Sequence, residues 1–235
     1  MENNNICQTT IKRLIKDIKD IKKNPLEQHG IYYKHDDTEI LKGQALIIGP
    51  QDTPYQYGYY LFDFIFPTNY PHSPPNVKYL TNDGNTRFNP NLYKNGKVCL
   101  SILNTWRGEN WTGCQTISTI LLTLVTILHN MPLSNEPGFD DKHPANIPYN
   151  KILTYKNFDT AICYMLTDFN IERNKHYDTM KVLFIQNYDK IVDTIHSIDD
   201  YKKSKMINCS VYNMSTVISY TAILIKLKDL FIKLK

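Results

Sequence analysis

Paired cysteines, arginine, net charge and long apolar runs are all scarce in this chain, and each scarcity excludes something. The five cysteines, Cys7, Cys99, Cys114, Cys163 and Cys209, are odd in number and widely spaced, with no C-x-x-C pair. A zinc ribbon or a disulfide framework is therefore not expected, and a reducing compartment is. His29, His35, His129, His143, His176 and His196 have no ligand-like spacing and read as surface or structural groups, so no metal site is expected. Arg13, Arg87, Arg107 and Arg173 are the sole arginines, and Lys+Arg 27 against Asp+Glu 23 leaves a net charge of +4. That excess is too small for a dedicated nucleic-acid binder. The longest uncharged apolar stretch, residues 116–128, is too short to span a bilayer. Residues 1–6 are polar and Asn-rich and do not resemble a secretion signal. The expectation is an intracellular protein, cytoplasmic or nuclear.

What is present suits a globular domain with an extension: 235 residues, 42% hydrophobic and 21% charged. In residues 9–24, Ile11, Leu14, Ile15, Ile18 and Ile21 recur at helical spacing, with Lys12, Arg13, Lys16, Lys19 and Lys23 on the other face. Thr9 or Thr10 can open this helix and Pro25 closes it. Apolar runs at 31–34, 41–48, 59–66 and 77–80, separated by turn residues, predict a four-stranded antiparallel meander. Pro54, Pro67, Pro71, Pro74 and Pro75 crowd one ordered loop. Residues 82–114 lack periodicity, which in a compact domain marks a functional loop. Trp106 and Trp111 within it read as packing anchors. Helices are expected at 115–130, 148–168, 178–196 and 214–234. The last two, with the polar stretch 197–208 between them, read as a helical hairpin added to the main domain. The lysines Lys226, Lys228, Lys233 and Lys235 suit the negative end of its final helix.

A free cysteine is most often a small buried hydrophobe, and that reading fits any of the five. Cys99 stands apart by its context. Asn91 lies eight residues before it in Phe88-Asn89-Pro90-Asn91, and the turn-forming Gly96-Lys97-Val98 leads into it. An irregular segment of this kind can place a thiol in a shallow groove, open to a second macromolecule, with an amide donor for an oxyanion.

The ordered motifs carry a resemblance. They run Gly49-Pro50, Thr53-Pro54-Tyr55, Gly58, Phe66-Pro67-Thr68-Asn69-Tyr70-Pro71, Pro74-Pro75-Val77, Asn89-Pro90-Asn91, Cys99-Leu100 and Trp111. In this order they resemble the ubiquitin-conjugating (E2) enzymes, over residues 9–168, about two-thirds of the chain. Residues 87–106 and Asn135-Glu136-Pro137-Gly138-Phe139 are most similar to the branch holding the Z-type E2 and the E2 domain of a giant inhibitor-of-apoptosis ligase. The resemblance implies an α+β ubiquitin-conjugating (UBC) fold: an N-terminal helix, a four-stranded antiparallel meander and C-terminal helices. The catalytic core would cover 9–168 and a helical C-terminal extension 170–235.

The same resemblance implies acyl transfer without metal or organic cofactor, ATP being used by the partner E1. Cys99 would carry ubiquitin, or a ubiquitin-like protein, as a thioester and pass it to a lysine of a protein substrate or to an E3 ligase. Asn91 would stabilise the oxyanion or hold the loop, and Glu136 would orient the incoming lysine. Lys12, Arg13 and Lys16 would meet the E1, and His72 and Thr112 sit in the loops where ligases dock. Asn89 stands where the family has a histidine, a change the close branch shares, and is expected to brace the loop and to tolerate histidine. The segment from Cys99 to Trp111 is longer than usual, with Arg107-Gly108-Glu109 inserted. Competing readings are a non-catalytic E2-like ubiquitin-binding module and a Cys/His hydrolase.

Overall fold

The computed structural model describes residues 6–167 and 174–235. Its order is α1 (Gln8–Lys23), β1 (Ile31–His35), β2 (Lys42–Ile48), β3 (Tyr59–Ile65), β4 (Asn76–Tyr79), α2 (Ile117–Thr126), α3 (Asn146–Lys156), α4 (Tyr177–His196), β5 (Lys205–Cys209), β6 (Met214–Ile218) and α5 (Tyr220–Leu234). The expected boundary near 168–170 lies outside the described residues.

Strands β1 to β4 form one antiparallel sheet in sequence order, the meander the turns predict. Alternation along the strands sends side chains to two faces. Ala45, Ile47, Tyr60, Phe62 and Phe64 face a core shared with Leu14 of α1 and Ile117, Ile120, Leu121 and Leu124 of α2. Leu46, Tyr59 and Leu61 face a second core shared with Phe158, Phe184, Ile191, Ile223 and Leu227. An antiparallel sheet often leaves one face to water; here α4, α5 and the chain around Phe158 and Ile162 cover it. The near-continuous apolar run of β3 has this double burial as its cause.

Two sequence expectations change. The 148–168 helix is α3 followed by a π-helical stretch, Asn157–Tyr164. Asn157 at the junction is buried: its Oδ1 accepts from the Tyr60 hydroxyl at 2.7 Å and its Nδ2 donates to the Gln56 carbonyl at 2.8 Å. A Cβ on Gly58 would lie 1.9 Å from that Oδ1, so the position requires glycine. The extension is not a helical hairpin. Residues 205–218 form a β-hairpin, with Lys205 opposite Ile218 and Cys209 opposite Met214. Val217, assigned to a helical stripe by its spacing, is 52% exposed on β6. The tip of the hairpin, through Cys209 and Met214, enters the first core, and Ile218 enters the second. The extension thus spans both cores.

Polar contacts fix its entry. The Lys34 ammonium donates to the Lys175 carbonyl at 2.6 Å, and Lys175 pairs with Asp36 at 2.7 Å. His176 is fully buried, with Nε2 3.0 Å from the Gln44 carbonyl of β2. A carbonyl can only accept, so Nε2 carries the proton; Nδ1 has no partner among the described residues.

Burial lowers the His176 imidazole from 6.5 to about 4. The unfolded chain binds a proton between those values that the folded chain refuses. Stability is therefore complete above about pH 6.5 and falls as pH drops toward 4, by roughly 3 kcal/mol. The urea midpoint is expected to fall between about pH 7 and pH 5, and His176→Gln, which keeps a donor, should flatten that part of the profile. Phe184→Ala, which empties the second core, should cost about 3–5 kcal/mol in the same titration.

Candidate active site

The irregular segment between β4 and α2 is held by isolated bridges and side chains. Gly96, at φ +88, closes the turn before Cys99, where a Cβ would lie 2.7 Å from the Tyr79 carbonyl oxygen. The Tyr79 amide donates to the Gly96 carbonyl at 2.8 Å, which ties this segment to β4.

Asn89 is fully buried and uses its whole amide. Nδ2 donates to the Tyr55 hydroxyl at 3.0 Å and to the Ile127 carbonyl, beyond the end of α2, at 2.7 Å. Oδ1 accepts the Asn91 backbone N–H at 2.9 Å. The Tyr55 hydroxyl in turn donates to the Phe88 carbonyl at 2.7 Å. Asn91 then meets Cys99 twice: the Cys99 N–H donates to the Asn91 carbonyl at 2.8 Å, and Asn91 Nδ2 donates to the Cys99 carbonyl at 2.7 Å. Asn91 and the thiol residue are thus locked side by side, with the Asn91 side chain bracing the loop.

Cys99 is 2% exposed. Its thiol donates to the Thr105 carbonyl at 2.8 Å. Thr105 is folded back over the Cys99 thiol by its hydroxyl, which accepts from the Leu100 N–H at 2.9 Å and donates to the Val98 carbonyl at 2.9 Å. Burial is the largest influence on the thiol and pushes its pKa up; Lys97, the Tyr93 hydroxyl and Arg87 favour the thiolate, and the Glu136 charge opposes it. Glu136 therefore lies within electrostatic reach of Cys99. Its carboxylate accepts a hydrogen bond from the Tyr212 hydroxyl at the tip of the β-hairpin.

The docking candidates fall into two groups. Lys12 and Lys16 are exposed on α1. Arg13 is occupied: Nε pairs with Asp17 at 2.8 Å, and its terminal nitrogens donate to the Gly113 and Gln115 carbonyls at 2.6 and 2.5 Å. The exposed His72 and Thr112 lie in loops joined by Trp111, whose Nε1 donates to the Pro71 carbonyl at 2.7 Å. Arg13 and Trp111 thereby bind α1 and both loops into one surface. Trp111 is the anchor expected of it; Trp106 is not, being 42% exposed on the insertion. All five cysteines are free.

Arg87, Tyr93, Thr105 and Tyr212 have no site role in the sequence analysis. Arg87 donates to the Asn89 and Pro90 carbonyls at 3.1 and 2.6 Å. Its guanidinium lies 3.3 Å from the Tyr93 ring centroid and 4.8 Å from that of Tyr212. Its rarity in a lysine-rich chain was the available signal, since bidentate and stacked roles select arginine. Tyr212 has no such signal, because sequence separation hides its approach.

The profile described as "Ubiquitin-conjugating enzyme" matches residues 13–157. Ubiquitin-conjugating enzyme E2 Z of Danio rerio is 40% identical over 191 residues, covering 80% of this chain and 58% of that protein. The Homo sapiens E2 Z is 44% identical over 163 residues, covering 68% and 45%. The human Dual E2 ubiquitin-conjugating enzyme/E3 ubiquitin-protein ligase BIRC6 is 48% identical over 119 residues, 47% of this chain and 2% of that protein. The chain spans about half the length of the E2 Z proteins it matches.

The Asn89 bonds set a prediction. Asn89→Ala removes the acceptor of the Asn91 N–H and the shorter of two bonds to the Ile127 carbonyl, to which Asn135 Nδ2 still donates at 3.2 Å, and should cost about 1–3 kcal/mol in denaturant titration. A neutral imidazole has one donor and one acceptor, too few for the bonds Asn89 makes. Asn89→His should therefore fall between alanine and the parent, rather than be fully tolerated as the resemblance suggested.

Proposed function

The chain belongs to the ubiquitin-conjugating enzyme family, and on that premise we propose that it is an active E2 whose nucleophile is Cys99. The observation that carries this reading is the paired hydrogen bonding of Asn91 and Cys99, which sets the thiol residue beside an amide. In loading, the Cys99 thiolate attacks the carbonyl carbon of the thioester joining ubiquitin, or a ubiquitin-like protein, to the E1. The E1 thiolate leaves and a Cys99 thioester remains. In discharge, a lysine amine of a substrate attacks that carbonyl, loses its proton with help from Glu136, and expels the Cys99 thiolate. Transfer to the cysteine of an E3 follows the same exchange of thiolates. Asn91 donates one N–H of Nδ2 to the Cys99 carbonyl and offers the other to the tetrahedral oxyanion. The protein uses no metal or organic cofactor of its own, and the ATP is spent by the E1.

The thiol must leave the Thr105 carbonyl before it can react. Docking of the E1 on the α1 surface brings the thioester to it, and Lys12 and Lys16 supply the exposed positive charge for that encounter. Such rim charges act mainly on association rate and its salt dependence.

Incubation with E1, ubiquitin and ATP, followed by non-reducing gel analysis, is the test. A thiol-sensitive adduct is expected, and Cys99→Ser should give a slower, reductant-resistant oxyester or none. Ubiquitin bound without linkage would favour the binding-module reading, and cleavage of conjugates the hydrolase reading. Because burial raises the Cys99 thiol above its ordinary 9.0, the thiolate fraction still climbs through neutral pH. The loading rate should rise without a plateau from about pH 7 to pH 9.

A further inference from the structure

Tyr212 belongs to the extension, yet its hydroxyl reaches the catalytic face. We infer that Tyr212 is a positioning residue that sets the Glu136 carboxylate for the incoming amine, an inference that rests on the proposed role of Glu136 in discharge. Glu136 follows a short 3-10 turn, Pro132–Asn135, and has no cationic partner at salt-bridge distance among the described residues. A long, rotamer-rich side chain without a tether samples many positions, and an orienting base works only within hydrogen-bond reach of the proton it takes. The Tyr212 hydroxyl donates to Oε2 and leaves Oε1 for the amine.

Tyr212 is itself over-determined. It sits at φ 60 and ψ 13, with Asn213 at φ 49 beside it, a left-handed backbone that a tyrosine rarely adopts. Buried Cys209 and Met214 pin the two sides of the tip. The Lys94 ammonium donates to the Tyr212 carbonyl at 3.3 Å. The ring lies 6.0 Å from that of Tyr149 and 4.8 Å from the Arg87 guanidinium. Arg87 also holds the Asn89 and Pro90 carbonyls, so the tip is fixed in the same frame as Asn91 and Cys99. Burial and the neighbouring carboxylate raise the Tyr212 phenol well above its usual range. It stays protonated and acts as donor, not base. Backbone strain held by surrounding contacts at a reaction centre is a recurrent sign of function.

Tyr212→Phe removes the donor and keeps the ring contacts. With the full chain preloaded by E1 and ubiquitin, single-turnover discharge is followed separately onto free lysine and onto hydroxylamine, which needs no positioned base. Lysine discharge should slow about tenfold, with hydroxylamine discharge, loading and the urea midpoint close to the parent. In a Glu136→Gln background the same substitution should change lysine discharge by less than about twofold, because the two residues act as one unit. Equal slowing with both nucleophiles, an additive effect in the double variant, unchanged lysine discharge, or faster discharge would each overturn the inference. Absence of any thioester in the parent would instead overturn the E2 reading itself, so the two failures are separable.

Discussion

The buried amide of Asn89 is the constraint on which the site depends. One side chain satisfies a hydroxyl from the loop before β3, a carbonyl just past α2 and the N–H of Asn91. These groups come from three parts of the chain and are buried together, where an unpaired donor or acceptor is costly. The irregular segment carrying Cys99 has only isolated bridges, and this node adds the side-chain bonds that fix it. A neutral imidazole in the same place would have one donor and one acceptor to distribute. The asparagine uses two donors and one acceptor, and Tyr55 completes the node by donating onward to Phe88.

The second constraint is the sheet with two apolar faces. Once Leu46, Tyr59 and Leu61 point away from α2, something apolar must cover them, and α4 and α5 do so. Phe158 and Ile162 of the π-helical stretch complete that cover. The hairpin between α4 and α5 does something else: it returns to the first core and brings Tyr212 to Glu136 and Arg87. The extension thus contributes to the first core and to the surroundings of Glu136 through the same hairpin. The fully buried His176, hydrogen-bonded to β2, is where this union is sensitive to acid.

The legible part of the molecule was that governed by local pattern. The four strands, α1, α2 and α4 follow from periodicity and punctuation, and the Asn91–Cys99 pair from ordered motifs. The π-helical turn at Asn157 is not legible in the sequence, because the partners that hold Asn157 there, Tyr60 and Gln56, are distant along the chain. The hairpin is hidden in the sequence because β5 is mostly exposed, with Cys209 its one buried residue, so the alternation that announces a strand is weak. Val217 happened to fall at helical spacing from Tyr220. Trp106 departs from its expected burial for a related reason: an aromatic residue predicts burial only where the chain around it is packed, and the insertion is exposed. Arg13 reads as a free surface charge from sequence, yet its guanidinium is spent on two loop carbonyls and Asp17.

The same guanidinium chemistry joins the site's halves at Arg87. Its charge favours the Cys99 thiolate, while the Glu136 charge opposes it. Tyr212 contacts both: its ring faces Arg87 and its hydroxyl holds Glu136. The thiol is covered by Thr105, and burial pushes its pKa up, which disfavours the thiolate while the cover is in place. Uncovering the thiol removes the burial penalty and leaves Lys97, Arg87 and Tyr93 to stabilise the thiolate. Access and acidity are therefore coupled at Cys99: the packing that folds Thr105 over the sulfur is also what raises its pKa.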